Sequence, residues 1–197
     1  MLLRSSQLIG LPIMSLQTGV EIAYSVQLII DPATLRIVAL ELDGDNLDER
    51  PSFLRIEDIR ELSNIGFIVD SSDEFIGLED VIQVQTLYQR NFQPIDMRVI
   101  DDQQKKLGKV HDTIFNTDTF VIDQLCVKQP LLMSFGDTEL LVHRTQIIDV
   151  KEKDIIVRSA AIKAKAQKKP THQQQHLTNP FKKSSSPQPE AIATQDE

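Results

Sequence analysis

The stretch QLIIDPATLRIVALEL, residues 27–42, places an apolar run on each side of an Asp-Pro-Ala-Thr turn signal. Proline fixes φ for a tight reversal, and the Asp31 and Thr34 side chains can hydrogen-bond back to the turn backbone. The flanking runs are rich in Ile, Val and Leu, so the stretch predicts a β-hairpin. Residues 112–127, DTIFNTDTFVIDQLCV, repeat this pattern around an Asn-Thr-Asp-Thr turn.

The repetition extends over much of the chain. At an offset of 85 residues, 23–42 aligns with 108–127 without a gap, and at an offset of 88, 59–69 aligns with 147–157. Because a one-residue slip would turn the matched side chains outward, we expect three apolar identities to occupy the same core positions in both copies. These pairs are Ile29 with Ile114, Ile37 with Ile122, and Leu40 with Leu125; a further identity pairs Thr34 with Thr119.

Each copy reads as short strands separated by turn signals, with no helix long enough to cover a sheet. This pattern predicts an all-β fold of two tandem small β-barrels, each of five to six short strands. The predicted strands are 13–16, 22–30, 35–42, 53–54, 59–62 and 66–69 in the first copy, and 97–100, 108–115, 120–127, 139–142, 147–150 and 154–158 in the second.

Three segments between and after the strands complete this organisation. RIED (55–58) and HRTQ (143–146) predict single helical turns, and IGLEDVIQVQTLYQRN (76–91) permits either a helix or a strand. The predicted divisions are a first barrel at 1–76, an ordered connector at 77–91, a second barrel at 92–159 and a tail at 160–197.

The charge is distributed unevenly along the chain. The 197 residues carry a formal charge of −8, but residues 158–197 carry seven basic and three acidic side chains, so the rest carries −12. The tail is rich in Lys, Gln, Ser and Pro and has few apolar residues to offset its ordering entropy. We expect it to be disordered from about Ala160, with at most a fraying helix over 160–169.

Composition indicates a soluble cytoplasmic protein. The hydrophobic content of 41% and charged content of 25% are ordinary for a globular chain. The single cysteine, Cys126, excludes an internal disulfide framework and fits a reducing compartment. No stretch approaches the roughly 20 apolar residues that a membrane helix requires.

Both hairpin stretches resemble the core signature of PRC-barrel domains. That signature is a Gly-x-Val-x-Asp lead-in, an apolar strand, an Asp-Pro-x-Thr-like turn and an apolar return strand. Gly108, Val110 and Asp112 fit it, whereas Ala23 and Gln27 replace the usual Gly and Asp in the first copy. LRIEDIREL with GFIV, and VHRTQIIDV with DIIV, are similar to the closing segment of the family, and the likeness covers about 150 of the 197 residues.

The resemblance implies a small interaction barrel rather than a catalytic scaffold. The family is named after the photosynthetic reaction centre H subunit. It also includes the C-terminal domain of a ribosome maturation factor, which docks onto a ribosomal protein, and stand-alone proteins. From the sequence we expect neither the separate N-terminal barrel of that factor nor the membrane helix of that subunit, so the fold alone does not assign either function.

No residue pattern in the chain indicates a catalytic, cofactor or metal site. His111 lies beside Asp112, but adjacent strand residues point to opposite faces, so we expect a surface histidine without acid–base partnership. DGDNLDE (43–49) lacks the glycine and the glutamate that a calcium loop needs and predicts an acidic loop. Cys126 is expected to be an unreactive strand cysteine. His143 also lies in the second copy, and His172 and His176 lie in the Gln-rich tail, where no nearby cysteine or carboxylate completes a metal-ligand set.

The tail holds the weak candidates for contact with nucleic acid or an anionic surface. Clustered lysines can bind phosphates by counterion release, although we favour the simpler interpretation of a solvated tail that keeps the protein soluble. The candidates are Lys163, Lys165, Lys168, Lys169, Lys182 and Lys183.

The sequence therefore favours a non-catalytic adaptor whose tandem barrels dock a protein partner on a surface or groove between them, without a cofactor. Duplicating a module increases the contact area or the effective concentration. The alternative is an RNA-associated factor related to ribosome maturation or RNA processing, in which the acidic barrels dock a basic protein and the tail contacts RNA. The sequence leaves the oligomeric state open.

Overall fold

A computed structural model describes residues 1–45, 47–129 and 139–158. These ranges contain fourteen strands and one α-helix, which confirms the all-β prediction. The strands before the helix are β1 Leu2–Arg4, β2 Pro12–Ser15, β3 Glu21–Asp31, β4 Arg36–Asp43, β5 Ser52–Arg55, β6 Glu61–Ser63, β7 Gly66–Val69 and β8 Phe75–Gly77. Helix α1 is Ile82–Arg90, and the strands after it are β9 Arg98–Asp101, β10 Lys106–Asn116, β11 Ile122–Lys128, β12 Glu139–His143, β13 Ile147–Val150 and β14 Asp154–Val157.

The strands form two sheets with the same internal order. The first sheet, unit 1, runs β6-β7-β2-β3-β4-β5-β8, and the second, unit 2, runs β13-β14-β9-β10-β11-β12. In each sheet one pair is parallel, β2 with β7 and β9 with β14, and the other pairs are antiparallel. Strand β1 is the exception to chain order, because it precedes unit 1 but pairs with β10 of unit 2.

The two long hairpins match each other in register as well as in sequence. The pairing of β3 with β4 shifts between Ser25 and Gln27, and that of β10 with β11 shifts between Val110 and Asp112. These positions lie 85 residues apart, and the second irregularity in each hairpin obeys the same offset. Such β-bulges are designed features of a strand rather than defects, so their recurrence supports the predicted duplication.

The turn chemistry also recurs. In unit 1 the Ala33 amide donates to Asp31 Oδ1 at 2.9 Å, and in unit 2 the Asp118 amide donates to Asn116 Oδ1 at 2.8 Å. Each turn ends in a large residue with a positive φ, and Leu35 at 56° corresponds to Phe120 at 54°. The polar first residue satisfies the turn backbone, as the sequence predicted.

One apolar core spans both units. Ile37, Leu40 and their counterparts in unit 2 are fully buried in it, as expected. The expectation for the third pair is wrong. Ile29 packs in a separate smaller cluster with Val84 of α1, and Ile114 is only half-buried. Strand alternation explains this, because Leu28 and Ile30 on either side of Ile29 point into the main core.

The connecting segments follow the predictions in part. The expected helical turns are present as 3₁₀ turns at Ile56–Asp58 and Arg144–Gln146. The connector contains helix α1, which resolves the open choice between helix and strand. Strands β1 and β8 were not predicted, because three-residue strands carry almost no alternation. The predicted disordered tail lies outside the described residues.

Candidate docking groove between the two units

The units meet through equivalent residues. Arg36 forms an isolated antiparallel bridge with Val121, and these two positions are 85 residues apart. Two hydrogen bonds between the units repeat this symmetry. The Ile37 amide donates to the Phe120 carbonyl at 2.9 Å, and the Ile122 amide donates to the Leu35 carbonyl at 2.8 Å. Ile122 is the counterpart of Ile37, and Phe120 is the counterpart of Leu35. Antiparallel contact between equivalent residues is the geometry of a two-fold interface. The units therefore pair like the subunits of a dimer.

The segment before unit 1 crosses to unit 2. Strand β1 pairs with the second half of β10, and the 3₁₀ turn Ser5–Leu8 follows it. Ser5 Oγ donates to Asp112 Oδ1 at 3.1 Å, and Ser6 Oγ donates to Asp112 Oδ2 at 2.7 Å. We call residues 2–8 the N-terminal arm.

The segment before unit 2 makes the reciprocal crossing onto unit 1. Gln93 Nε2 donates to the Leu28 carbonyl at 3.1 Å, and Gln27 Nε2 donates to Asn91 Oδ1 at 3.4 Å. Gln27 and Asp112 are equivalent positions of the two units, so the two crossings attach at the same place on each barrel. The attachment on Asp112 is stronger because its carboxylate is charged and its hydrogen bonds are shorter.

Between the two crossings lies a cavity of about 370 Å³, which we call the inter-unit groove. Three large apolar side chains on it remain exposed: Ile9 at 45%, Val26 at 37% and Ile95 at 40%. Ile9 and Ile95 are counterparts, since each precedes a residue with positive φ, Gly10 at 77° and Asp96 at 65°. The buried side chains of Leu28 and Ile30 also line the groove.

Asp112 lies at the polar end of the groove and is only 5% exposed. Its carboxylate accepts from Ser5, Ser6 and the Thr113 amide and lies 3.5 Å from the Arg4 guanidinium. Burial alone would raise the pKa of Asp112, but the hydrogen bonds from Ser6, Thr113 and Ser5 outweigh it and hold the pKa below its usual value. Asp112 is therefore charged and anchors the arm.

Glu139 extends this polar cluster. Arg4 Nη2 donates to both of its carboxylate oxygens, at 3.0 and 2.9 Å, and His111 Nε2 lies 2.8 Å from Oε1. The hydrogen bond from Arg4 lowers the pKa of Glu139 against the opposing effect of burial. Through its ionic contacts with Asp112 and Glu139, Arg4 joins the N-terminal arm to both β10 and β12.

The prediction that His111 and Asp112 would face apart is wrong. β10 advances two residues, from Val110 to Asp112, while β11 advances only one, from Val127 to Cys126. This β-bulge inserts His111 as an extra residue and breaks the alternation, so both side chains line the inter-unit groove. The Gly-x-Val-x-Asp lead-in ends at this bulge, at Asp112. No break in the alternation of apolar and polar residues marks the bulge in the sequence.

The other residues singled out from the sequence have structural surroundings. Cys126 is fully buried, and burial, followed by the charge of Glu139, raises its pKa to about 12. His143 Nδ1 accepts from the Thr145 amide and caps a 3₁₀ turn. Asp43, in the acidic loop, is bound by Arg50 at 2.7 Å. The six tail lysines, His172 and His176 lie outside the described residues.

Gly108 shows why the signature requires glycine. Its φ is 154°, and a Cβ at this position would collide with the Lys128 carbonyl oxygen of β11. Ala23, at the equivalent position of unit 1, has no positive φ, so the first copy tolerates a side chain there.

Comparison with known proteins identifies one family in the chain. Residues 90–162 match the family model described as PRC-barrel domain, which covers unit 2. No curated protein matches the chain. Across the described ranges, the one α-helix is too short and too polar to cross a membrane.

Proposed function

We propose that this protein is a non-catalytic interaction protein that docks a protein partner in the inter-unit groove. The observation that carries the proposal is the convergence of Ile9, Val26 and Ile95 on one cavity. Single exposed apolar residues are common on protein surfaces, but a group that rims a concave site is typical of an interaction surface. Here the group lies between two units whose crossings fix its shape.

The PRC-barrel match at 90–162 supports this reading for unit 2. We infer that unit 1 is a diverged PRC-barrel, because its strand order, bulges and turn repeat those of unit 2. A duplicated barrel provides a groove that one barrel cannot form, since Ile9 and Ile95 come from different crossings. The duplication itself thus has a functional reason without any chemistry in either copy.

The ionisable groups at the groove support a structural role. Asp112 and Glu139 are committed to the arm through Ser5, Ser6 and Arg4. A general base must take a proton from the substrate, whereas the hydrogen bonds from the arm hold the pKa of both carboxylates below its usual value and so make them weaker bases. We propose that they hold the groove in shape and that the protein is not an enzyme.

Affinity capture from a cell lysate tests the proposal when it is done with Ile95→Asp and a matched control. Ile65→Asp makes the same substitution at a 56% exposed position outside the groove. Wild type and Ile65→Asp should retain the same partner, and Ile95→Asp should lose it, because a buried carboxylate in the interface is costly. An unchanged set of partners for Ile95→Asp would exclude the groove.

The RNA-associated alternative stays a prediction, since its candidate lysines are in the tail. Treating the same lysate with RNase separates the two proposals. A partner that binds the groove directly should survive the treatment, whereas loss of all partners would favour the RNA-associated factor. Cytoplasmic location is likewise an expectation from composition.

A further inference from the structure

In unit 1, the edge strand β5 is covered by β8, which follows the last barrel strand, β7, in the chain. β8 pairs antiparallel with β5, and Phe53 lies opposite Ile76 while Leu54 lies opposite Phe75. β8 begins six residues after β7 ends at Val69. The chain that leaves the barrel therefore returns and covers the β5 edge.

The equivalent edge of unit 2 has no such strand in the described ranges. β12 is the counterpart of β5, because Val142 pairs with Leu125 as Leu54 pairs with Leu40. β12 pairs with β11 along its whole length, and no described strand lies on its other side. An open edge presents unpaired N–H and C=O groups that accept another strand.

The side chains on this edge match the covered edge of unit 1. Phe53 is fully buried beneath Ile76 and α1, and its ring meets the Tyr88 ring edge-on with centroids 5.1 Å apart. Leu141 occupies the same position on β12 and is only half-buried. The apolar position is kept, but its cover is absent from the described part of unit 2.

The chain itself supplies a candidate strand for this edge. It continues for 39 residues beyond Arg158, and the PRC-barrel match extends to residue 162, past the end of β14 at Val157. Six residues after Val157, the spacing that separates β8 from β7, is residue 163. Residues 162–166 read Ile-Lys-Ala-Lys-Ala, an alternation of apolar and basic side chains.

We propose that the open edge of β12 is a strand-addition site occupied by residues 162–166 of this chain, in place of the disorder that composition alone predicts from about Ala160. The alternation lets the apolar side chains face the barrel while the lysines stay in solvent, as lysines do on protected edge strands. The net charge also favours docking, because the tail carries +4 and the remainder of the chain −12. The proposal concerns a different surface from the inter-unit groove and does not depend on it.

Proline substitutions in the full-length chain test this docking. The N–H groups of successive residues in an edge strand point to opposite sides, so of two neighbouring residues one donates its N–H to β12. Proline has no N–H, so either Lys163→Pro or Ala164→Pro removes a hydrogen bond to β12. The matched controls, Lys183→Pro and Ala193→Pro, make the same changes in the distal tail. The readout is amide hydrogen exchange of β12, measured residue by residue by NMR.

We expect at least one of the two proximal variants to accelerate exchange at edge-facing amides of β12 by about tenfold, the effect of losing roughly one hydrogen bond. Exchange in β5 should not change, and both control variants should resemble wild type. Unchanged β12 exchange in both proximal variants would overturn the proposal, as would equal acceleration in the controls. Protection of β12 that depends on protein concentration would also overturn it, because the strand would then come from a second copy.

Discussion

Replacing Asp112 with alanine tests whether the crossing of the N-terminal arm stabilises the fold. The substitution removes a buried carboxylate that accepts from Ser5 Oγ at 3.1 Å, Ser6 Oγ at 2.7 Å and the Thr113 amide at 2.8 Å. Ser5 Oγ keeps its 2.7 Å hydrogen bond with the Thr113 hydroxyl, so not every donor is orphaned. Ser6 is exposed and can bind water instead, so the Thr113 amide is the buried donor left unsatisfied, and we expect a loss of about 1–3 kcal/mol.

The measurement is urea denaturation at neutral pH, with the free energy of unfolding and its slope compared between variants. The matched control is Gln27→Ala, at the equivalent position of unit 1. Gln27 is half-buried, and within the described residues its side chain makes one hydrogen bond, to Asn91 at 3.4 Å, so its loss should cost no more than about 0.5 kcal/mol. Equal costs for the two substitutions would refute the anchoring role, and hydrogen exchange in residues 2–8 would localise any loss to the arm.

Three further outcomes are expected. The pKa values of Asp112 and Glu139 are lower in the folded protein than in the unfolded chain. The two carboxylates therefore contribute stability that is fully present above the ordinary carboxyl pKa of about 4 and is lost as the pH falls through their folded pKa values. Asp112→Ala should make the free energy of unfolding depend less on pH, as denaturation curves recorded across acidic pH will show. Leu125→Ala should cost about 2–5 kcal/mol and Ile114→Ala markedly less, as thermal unfolding will show, since Leu125 is fully buried and Ile114 is not. Deleting 167–197 should change stability by no more than about 0.5 kcal/mol. If these residues bind polyanions, the deletion should also weaken that binding and its salt dependence.

The sequence predicted the features that depend on residues close together in the chain, namely the hairpins, their turns and the single helical turns. Its turn residues and apolar runs defined both long hairpins, and Asp31 and Asn116 make the turn contacts their residue types favour. The 85-residue offset predicted which residues of the two hairpins correspond, because a slip of one residue would exchange the two faces of each strand. The sequence also predicted the single helical turns that precede β6 and β13.

Tertiary structure decided how these parts combine. Alternation could not show that Ile29 would lie under α1 rather than in the main core, because both faces of that strand are apolar. Nor could it show that a bulge would insert His111 as an extra residue and bring it beside Asp112 on the inter-unit groove.

The groove depends on contacts between residues far apart in the chain, such as Ser5 with Asp112 and Arg4 with Glu139. Such contacts form only when both barrels are folded and paired, so no local pattern encodes them. The hairpins follow from about twenty residues each. The crossing arms follow from the packing of one barrel on the other, where Arg36 meets Val121 and brings the two copies together as a pair.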